Sequence, residues 1–432
     1  MIASTTALAL VRPLGLTGER AAQAAALLAQ ARHDLAAEPT WAWWVPGRIE
    51  VLGKHTDYAG GQVLNCAADV GLLVVARPRS DAVVRVRSQG QEVAIPLVAG
   101  AQGAPGMATY IAAVARRLAR HFPGVDRGVD IGIAANLPAA SGMSSSSALV
   151  IAVHLALAAA NRLDARADFR AALGTEEELV PYLGCHESGA GCGAFPGEAG
   201  VGTSGGSQDH AAILLSRTGR LNQWSFAPFH RLATVAWPAD LELAVAVSGV
   251  LAEKSAAART AFNEVAGRAR AAAAAWNAAA GRSDASLGAA FLACGAPAVL
   301  AAITDPDLRQ RAEQVAIEST EIIPGAIAAL AAGDTAAFGA LAARSQAMAV
   351  THLRNQIPET RALADGAAAH GALAASAFGA GFGGAVWAAF PRGGDGATAW
   401  LAEYRRRFPQ HAAVAALQRI APGPGVTALE PA

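Results

Sequence analysis

Four cysteines in 432 residues (Cys66, Cys185, Cys192 and Cys294) form no CxxC pair and no spacing typical of a zinc site. Reduced thiols of an intracellular protein are therefore the expectation. Charge of one sign is lacking too. Lys plus Arg and Asp plus Glu both number 34, and no long run of either sign occurs. Nucleic acid and anionic membrane surfaces are thereby excluded as main partners. No basic residues precede the apolar start Met1 to Leu16, which makes a poor signal peptide, so a cytoplasmic protein is expected. Uninterrupted apolar runs of membrane length are also missing. The two long stretches without Asp, Glu, Lys or Arg, Ile131 to Asn161 and Gly371 to Phe390, are broken by Pro138 with a serine run and by five glycines. Both read as buried loop, strand and helix pieces rather than spans.

What is present is alanine and length. Apolar residues make up 53% of the chain, much of it alanine, which favours helix and buries little area per residue. At this length two intimately packed domains are expected, 1–235 and 236–432. Apolar spacing predicts a helix over 17–38, strands over 46–52 and 63–76, and a hairpin of 83–88 with 92–98 about Gln89-Gly90-Gln91. A helix over 108–122, a strand over 129–135 and helices over 145–161 and 166–183 follow. Beyond a strand near 243–248 come alanine-rich helices (255–280, 307–318, 334–350, 358–370) and weaker strands near 373–378 and 384–390. The tail from Pro422 reads as a frayed end.

Three segments carry chemistry. In Pro46-Gly47-Arg48-Ile49-Glu50-Val51-Leu52-Gly53-Lys54-His55-Thr56-Asp57-Tyr58, a strand bearing Arg48 runs into a turn that presents Lys54, His55 and Asp57 together. Such polar convergence suits a hydroxyl-rich ligand. It is not a P-loop: five residues separate Gly47 from Gly53, and histidine follows Lys54. In Leu137-Pro138-Ala139-Ala140-Ser141-Gly142-Met143-Ser144-Ser145-Ser146-Ser147-Ala148, a loop opens an apolar helix whose free N–H groups and dipole can cradle phosphate. Gly379-Ala380-Gly381-Phe382-Gly383-Gly384 satisfies GxGxxG, but a strand-like run follows where a dinucleotide fold needs a helix. The HRD and DFG segments of protein kinases are missing as well.

In order and spacing these three motifs resemble galactokinases and, more widely, the GHMP kinases of galactose, homoserine, mevalonate and phosphomevalonate, from about residue 40 to 390. The resemblance implies an α+β, two-domain GHMP kinase fold, with an N-terminal ribosomal-protein-S5-like domain and a C-terminal ferredoxin-like domain. It also implies an ATP- and Mg2+-dependent transfer of phosphate to the anomeric hydroxyl of galactose or a related sugar. Gly205-Gly206-Ser207-Gln208-Asp209-His210 resembles the segment with the catalytic aspartate, which makes Asp209 the base and Arg48 its charge partner. By the same resemblance Lys54, His55, Thr56, Asp57, Gly206 and Phe262 bind sugar. Ala140, Ser141, Gly142, Met143, Ser144, Ser145 and Ser146 bind ATP, and Ser146 and Glu187 hold magnesium, with Glu198 as the alternative to Glu187. The partners implied are a small-molecule sugar and a monomer or weak homodimer.

Ala140 stands where the family usually has glycine, and two further departures touch the sugar pocket. Lys54 stands where galactokinases have glutamate, and Phe262 where they have tyrosine. A lysine there raises the alternative of a hexuronate 1-kinase in which Lys54 reads the carboxylate. A sugar and ATP sensor without turnover is the alternative of another class. A non-sugar alcohol is disfavoured by Lys54-His55-Thr56-Asp57.

Overall fold

The computed structural model describes residues 5–138, 141–250 and 256–430. Among the described residues twelve strands fall into two sheets. The strands are β1 Trp41–Leu52, β2 Gln62–Pro78, β3 Val83–Ser88, β4 Gln91–Pro96, β5 Val129–Ala135, β6 Arg220–Phe226, β7 Phe229–Ala236, β8 Leu241–Val247, β9 Ala374–Phe378, β10 Ala385–Pro391, β11 Ala416–Ile420 and β12 Thr427–Leu429. The first sheet runs β12-β1-β2-β5-β3-β4, and β6, paired to β2, carries β7 outward. The second is β11-β8-β10-β9.

β1 and β2 are buried along nearly their whole length because both faces are covered, which is why apolar residues fall on both faces of each. The Gly18–Leu35 helix covers one face through Ala24, Leu28, Ala31 and Leu35. The Met107–His121 and Ser145–Ala160 helices cover the other, the latter apolar all round as a buried helix should be.

A second core joins the two sheets. Ile49, Val51 and Leu64 from the first meet Val245, Trp387 and Phe378 from the second, with Ile322, Ile323 and Phe338 between them. The Trp387 indole N–H donates to the Val51 carbonyl at 3.1 Å, tying the sheets directly. The Ala256–Ala280 and Pro306–Ile317 helices pack beside the β1–β2 turn, around Ala59 and Trp276. The three motifs therefore meet where these bodies join.

The expected boundary near 235 lies where the chain passes from β7 to β8, yet β12 returns to the first sheet and pairs Ala42 with Leu429. The tail is thus an edge strand rather than a frayed end. The helix expected over 166–183 is two, Ala167–Leu173 and Glu176–Ser188, because Thr175 caps a new start with Glu178 in a reciprocal capping box. Among the described residues no helix is long and apolar enough to cross a membrane.

Candidate active site

Gly47 sets the height of the phosphate loop over β1. A Cβ there would lie 2.5 Å from a Leu137 methyl and 3.0 Å from the Met143 carbonyl. A register shift between Pro46 and Arg48 frees the Arg48 N–H from the sheet, and it donates instead to the Met143 carbonyl at 3.2 Å. Ser144 then takes a left-handed conformation, and the Ser145–Ala160 helix begins. Ser146 and Ser147 in its first turn line the pocket, where a helix start favours an anion. Across the loop Gly379, itself left-handed, lies against Gly142, so the third motif packs on the second. Ala140 lies outside the described residues; Ser141 bonds the Pro138 carbonyl.

Asp209 sits in the first turn of the Gln208–Leu215 helix, at the pocket floor. Arg48 Nε donates to its Oδ1 at 2.6 Å, and the Ser144 hydroxyl donates to its Oδ2 at 2.5 Å. Arg48 Nη1 also donates to the Gly142 carbonyl. Burial pushes the Asp209 carboxyl up, but the Arg48 charge and the bonds from Ser144 and Arg48 outweigh it and hold Asp209 below the ordinary range. Glu187 stands opposite, its Oε1 accepting from Ser147 Oγ at 2.5 Å and lying 3.3 Å from His210 Nε2. Ser147 Oγ is also 3.4 Å from Asp209 Oδ2, so one hydroxyl spans the two carboxylates.

The sugar motif supplies the other wall. His55 Nε2 faces the Ala380 carbonyl at 2.9 Å, an acceptor only, so this nitrogen carries the proton. Nδ1 then accepts from the Tyr58 hydroxyl at 2.8 Å. Burial lowers the imidazole to about 4, which keeps it neutral. Asp57 Oδ2 accepts from the Gln208 N–H at 3.2 Å, and burial raises its carboxyl to about 6. Gly206 makes room for it: a Cβ there would stand 2.2 Å from Asp57 Oδ2. Phe262 closes this side, with its ring centroid 5.1 Å from that of His55.

Three expected residues face elsewhere. Lys54 is 1% exposed and turns into the junction of the two sheets, where its ammonium donates to Ser376 at 2.6 Å and Ser345 at 3.2 Å. The Ser345 hydroxyl passes its proton side to Glu318 at 2.5 Å, so Lys54 has its counter-charge within the fold and does not line the pocket. This corrects the expectation that Lys54 contacts sugar. Thr56 likewise spends its hydroxyl on the Gly53 and Gln62 carbonyls. Glu198 is held by Arg116, Arg117 and Arg120 at 3.3–3.5 Å, away from the pocket.

The sequence reading missed Ser147, Tyr58 and Gln208, each adjacent to a residue it named, and Arg259 and Thr203, for which no motif signals. Gln208 matters most. Its side chain donates to the buried Glu50 at 2.7 Å while its backbone holds Asp57, fastening the start of the Asp209 helix to β1.

Known proteins share both the sequence regions and the fold. Residues 109–188 match the GHMP kinases N terminal domain and residues 326–406 the GHMP kinases C terminal model. A mevalonate kinase structure overlays with a TM-score of 0.53 at 11% identity, covering 88% of this chain and 99% of that one. The fold and these regions define a GHMP kinase. Residues 32–78 match the galactokinase galactose-binding signature. The galactokinase of Chloroflexus aurantiacus is 30% identical over 362 residues, 81% of this chain and 83% of that relative. The chain belongs to the galactokinase family, and so is a phosphotransferase with an alcohol group as acceptor. The galactokinase of Exiguobacterium sibiricum is 37% identical over 130 residues, spanning 33% of that relative. The crystal structure of Lactococcus lactis galactokinase complexed with galactose shares the fold, with a TM-score of 0.76 at 23% identity over 93% of this chain and 98% of that one.

Proposed function

We propose that the chain transfers the γ-phosphate of ATP to the anomeric hydroxyl of galactose or a closely related sugar, with Asp209 as base and Arg48 as charge stabiliser. The observation that carries this reading is the pair itself: an aspartate held ionised by a buried arginine at the mouth of a phosphate-cradling helix. As the sugar oxygen bonds to the γ-phosphorus, its proton passes to Asp209, and the bond to the β-phosphate oxygen breaks to release ADP. Arg48 offsets charge gathering on the phosphoryl oxygens while keeping Asp209 ready to accept. Asp57, Tyr58 and Phe262 form the wall against which the ring would lie, and the Ser145–Ala160 helix start would hold the phosphates.

Among the described residues no three His, Cys, Asp or Glu side chains are grouped to hold a metal. A magnesium ion carried in on ATP fits this better than a resident one. Glu187 and the Ser146 hydroxyl are the oxygen donors the pocket offers it. Bound there it would neutralise phosphate charge.

The test is ADP release with Mg-ATP across galactose, galacturonate, glucuronate, talose, fucose and arabinose, with Asp209→Asn as blank. Turnover on galactose or a neutral relative, lost in the variant by about 10²-fold or more, is expected. Sugar binding with no turnover on any of them would overturn the enzyme in favour of a sensor. Preference for a hexuronate would contradict the inward-turned Lys54.

A further inference from the structure

Resting on the reading of this pocket as a sugar site, we propose that Arg311 is a positioning residue. From the Pro306–Ile317 helix, and without lining the pocket itself, it holds His55 in a left-handed turn and Tyr58 beside it, so that the sugar wall is formed before sugar arrives. His55 has a φ of 58°. A non-glycine residue seldom adopts that conformation, and one that does must be held there by its surroundings. The turn is gripped at the carbonyls of Lys54 and His55, one on each side of the His55 Cα. Arg311 Nη2 donates to the His55 carbonyl at 2.5 Å, and Gln314 Nε2 donates to the Lys54 carbonyl at 3.1 Å. Arg311 Nη1 donates to Gln314 Oε1, which turns the amide so that its nitrogen faces Lys54. Being three residues apart, Arg311 and Gln314 share one face of their helix.

Arg311 reaches the side chains as well. Its Nη2 donates to the Tyr58 hydroxyl oxygen at 3.4 Å, and its guanidinium carbon lies 5.9 Å from the Tyr58 ring centre. The Tyr58 hydroxyl donates in turn to His55 Nδ1, and His55 Nε2 donates to the Ala380 carbonyl. Arginine can only donate and a carbonyl can only accept, so every proton between them points the same way, from Arg311 toward the third motif. Tyr58 and His55, both in the pocket wall, are thereby left one orientation each. Ala380 has a second anchor. Asn355 Nδ2 donates to the same carbonyl at 3.3 Å, and the Asn355 carbonyl accepts from the Phe382 N–H at 2.7 Å. The glycine motif therefore keeps its place against Gly142 without Arg311, and the loss of Arg311 falls on sugar rather than on ATP.

Arg311 is fully buried, its Nε has no acceptor, and among the described residues it forms no ion pair. Burying a cation without a counter-charge costs stability. A side chain kept only to fill this space would be apolar. What the guanidinium supplies instead is a rigid plane of donors that reaches Gln314, the His55 carbonyl and Tyr58 at once, which no neutral or single-headed side chain can do.

The experiment compares Arg311→Met, Arg311→Lys and Gln314→Leu with the native chain by steady-state kinetics on galactose and Mg-ATP. Proton NMR of the buried ring and indole N–H groups accompanies it, with the His55 Nε2–H signal assigned by its loss in His55→Asn. Arg311→Met should raise the KM for galactose by about 10- to 10²-fold and leave the KM for ATP as it was. Arg311→Lys should recover only part of this, since an ammonium lacks the planar fork. Gln314→Leu, which removes the bond to Lys54 and lies outside the pocket, should raise the same KM by a smaller factor. In Arg311→Met and Gln314→Leu the His55 Nε2–H signal should broaden or vanish, while the indole signals of Trp387 and Trp400, bonded to the Val51 and Leu363 carbonyls, stay in place. If Arg311→Met does not fold, Gln314→Leu decides. The His55 signal needs neither sugar nor ATP, so whether Arg311 and Gln314 hold the ring is decided even if the kinase reading fails. A His55 signal unchanged in both variants, an unchanged KM for galactose, or a rise shared equally by ATP would each overturn the proposal.

Discussion

Glu50 offers a measurable consequence of how the site is buried. It lies on β1 two residues beyond Arg48 and is 1% exposed; Oε2 accepts from Gln208, while Oε1 has no partner. Burial is the largest influence and raises its carboxyl from an ordinary 4.5 to about 7, against the pull of Arg48 and Lys54. A carboxyl that holds its proton more tightly folded than unfolded contributes stability that is full below 4.5 and lost as pH rises through about 7. At about 1.4 kcal/mol per pH unit, that loss is on the order of 3 kcal/mol. Glu50→Gln keeps the size, abolishes the titration and offers an N–H to Gln208 Oε1, which is unpartnered. Urea unfolding followed by circular dichroism at a series of pH values should show the variant gaining on the native chain. The difference should be small near about pH 5, approach about 3 kcal/mol by about pH 8, and stay flat above. A difference that is constant with pH, or one that shrinks as pH rises, would refute the argument.

Three other substitutions probe separate parts of the site. Lys54→Met strands Glu318 in the junction between the sheets and should cost roughly 3–5 kcal/mol in urea unfolding, while the ranking of accepted sugars is unchanged; a changed ranking would put Lys54 back in the pocket. Gly206→Ala drives a Cβ to 2.2 Å from Asp57 Oδ2. Steady-state kinetics should show a raised KM for sugar with the KM for ATP retained, and an unaltered sugar KM would mean that Asp57 is not at the ring. Arg48→Met should lower turnover by about 10²- to 10³-fold. Because Arg48 opposes the upward push of burial on Asp209, the acid limb of kcat/KM should also move to higher pH; a profile that moves down or stays fixed would contradict the pairing.

Much of this architecture was legible because each motif couples a backbone need to a chemical one. The turn carrying His55 and Asp57, the loop opening the Ser145–Ala160 helix and the Gly379 segment all announce themselves through glycine, proline and serine at fixed spacing. What stayed hidden had no local pattern. β6 buries Asn222, Gln223 and Ser225 and so lacks an apolar signature, while β7 exposes alternate residues at an outer edge. Lys54 is the instructive case. A cation beside His55 and Asp57 in sequence suggests a ligand contact, but only the fold brings Ser345, Ser376 and Glu318 to it from the far half of the chain. Glu187 and Glu198 were likewise equivalent in one dimension, and only the fold puts Glu187 on the pocket wall and Glu198 among Arg116, Arg117 and Arg120.

β12 has a bearing on how the molecule is made. It shields the Trp41–Leu52 strand, which supplies Arg48, along the stretch where Ala42, Trp43 and Trp44 meet Leu429, Ala428 and Thr427. During synthesis that stretch leaves the ribosome well before its cover, because ten strands lie between β1 and β12 in the chain. Until β12 emerges the nascent protein therefore carries an unpaired strand edge rich in tryptophan, the kind of surface to which other chains add. Shortening the chain before Thr427 would make that temporary exposure permanent, and the harm should appear first as poor recovery of folded protein in the cell rather than as a change in catalysis.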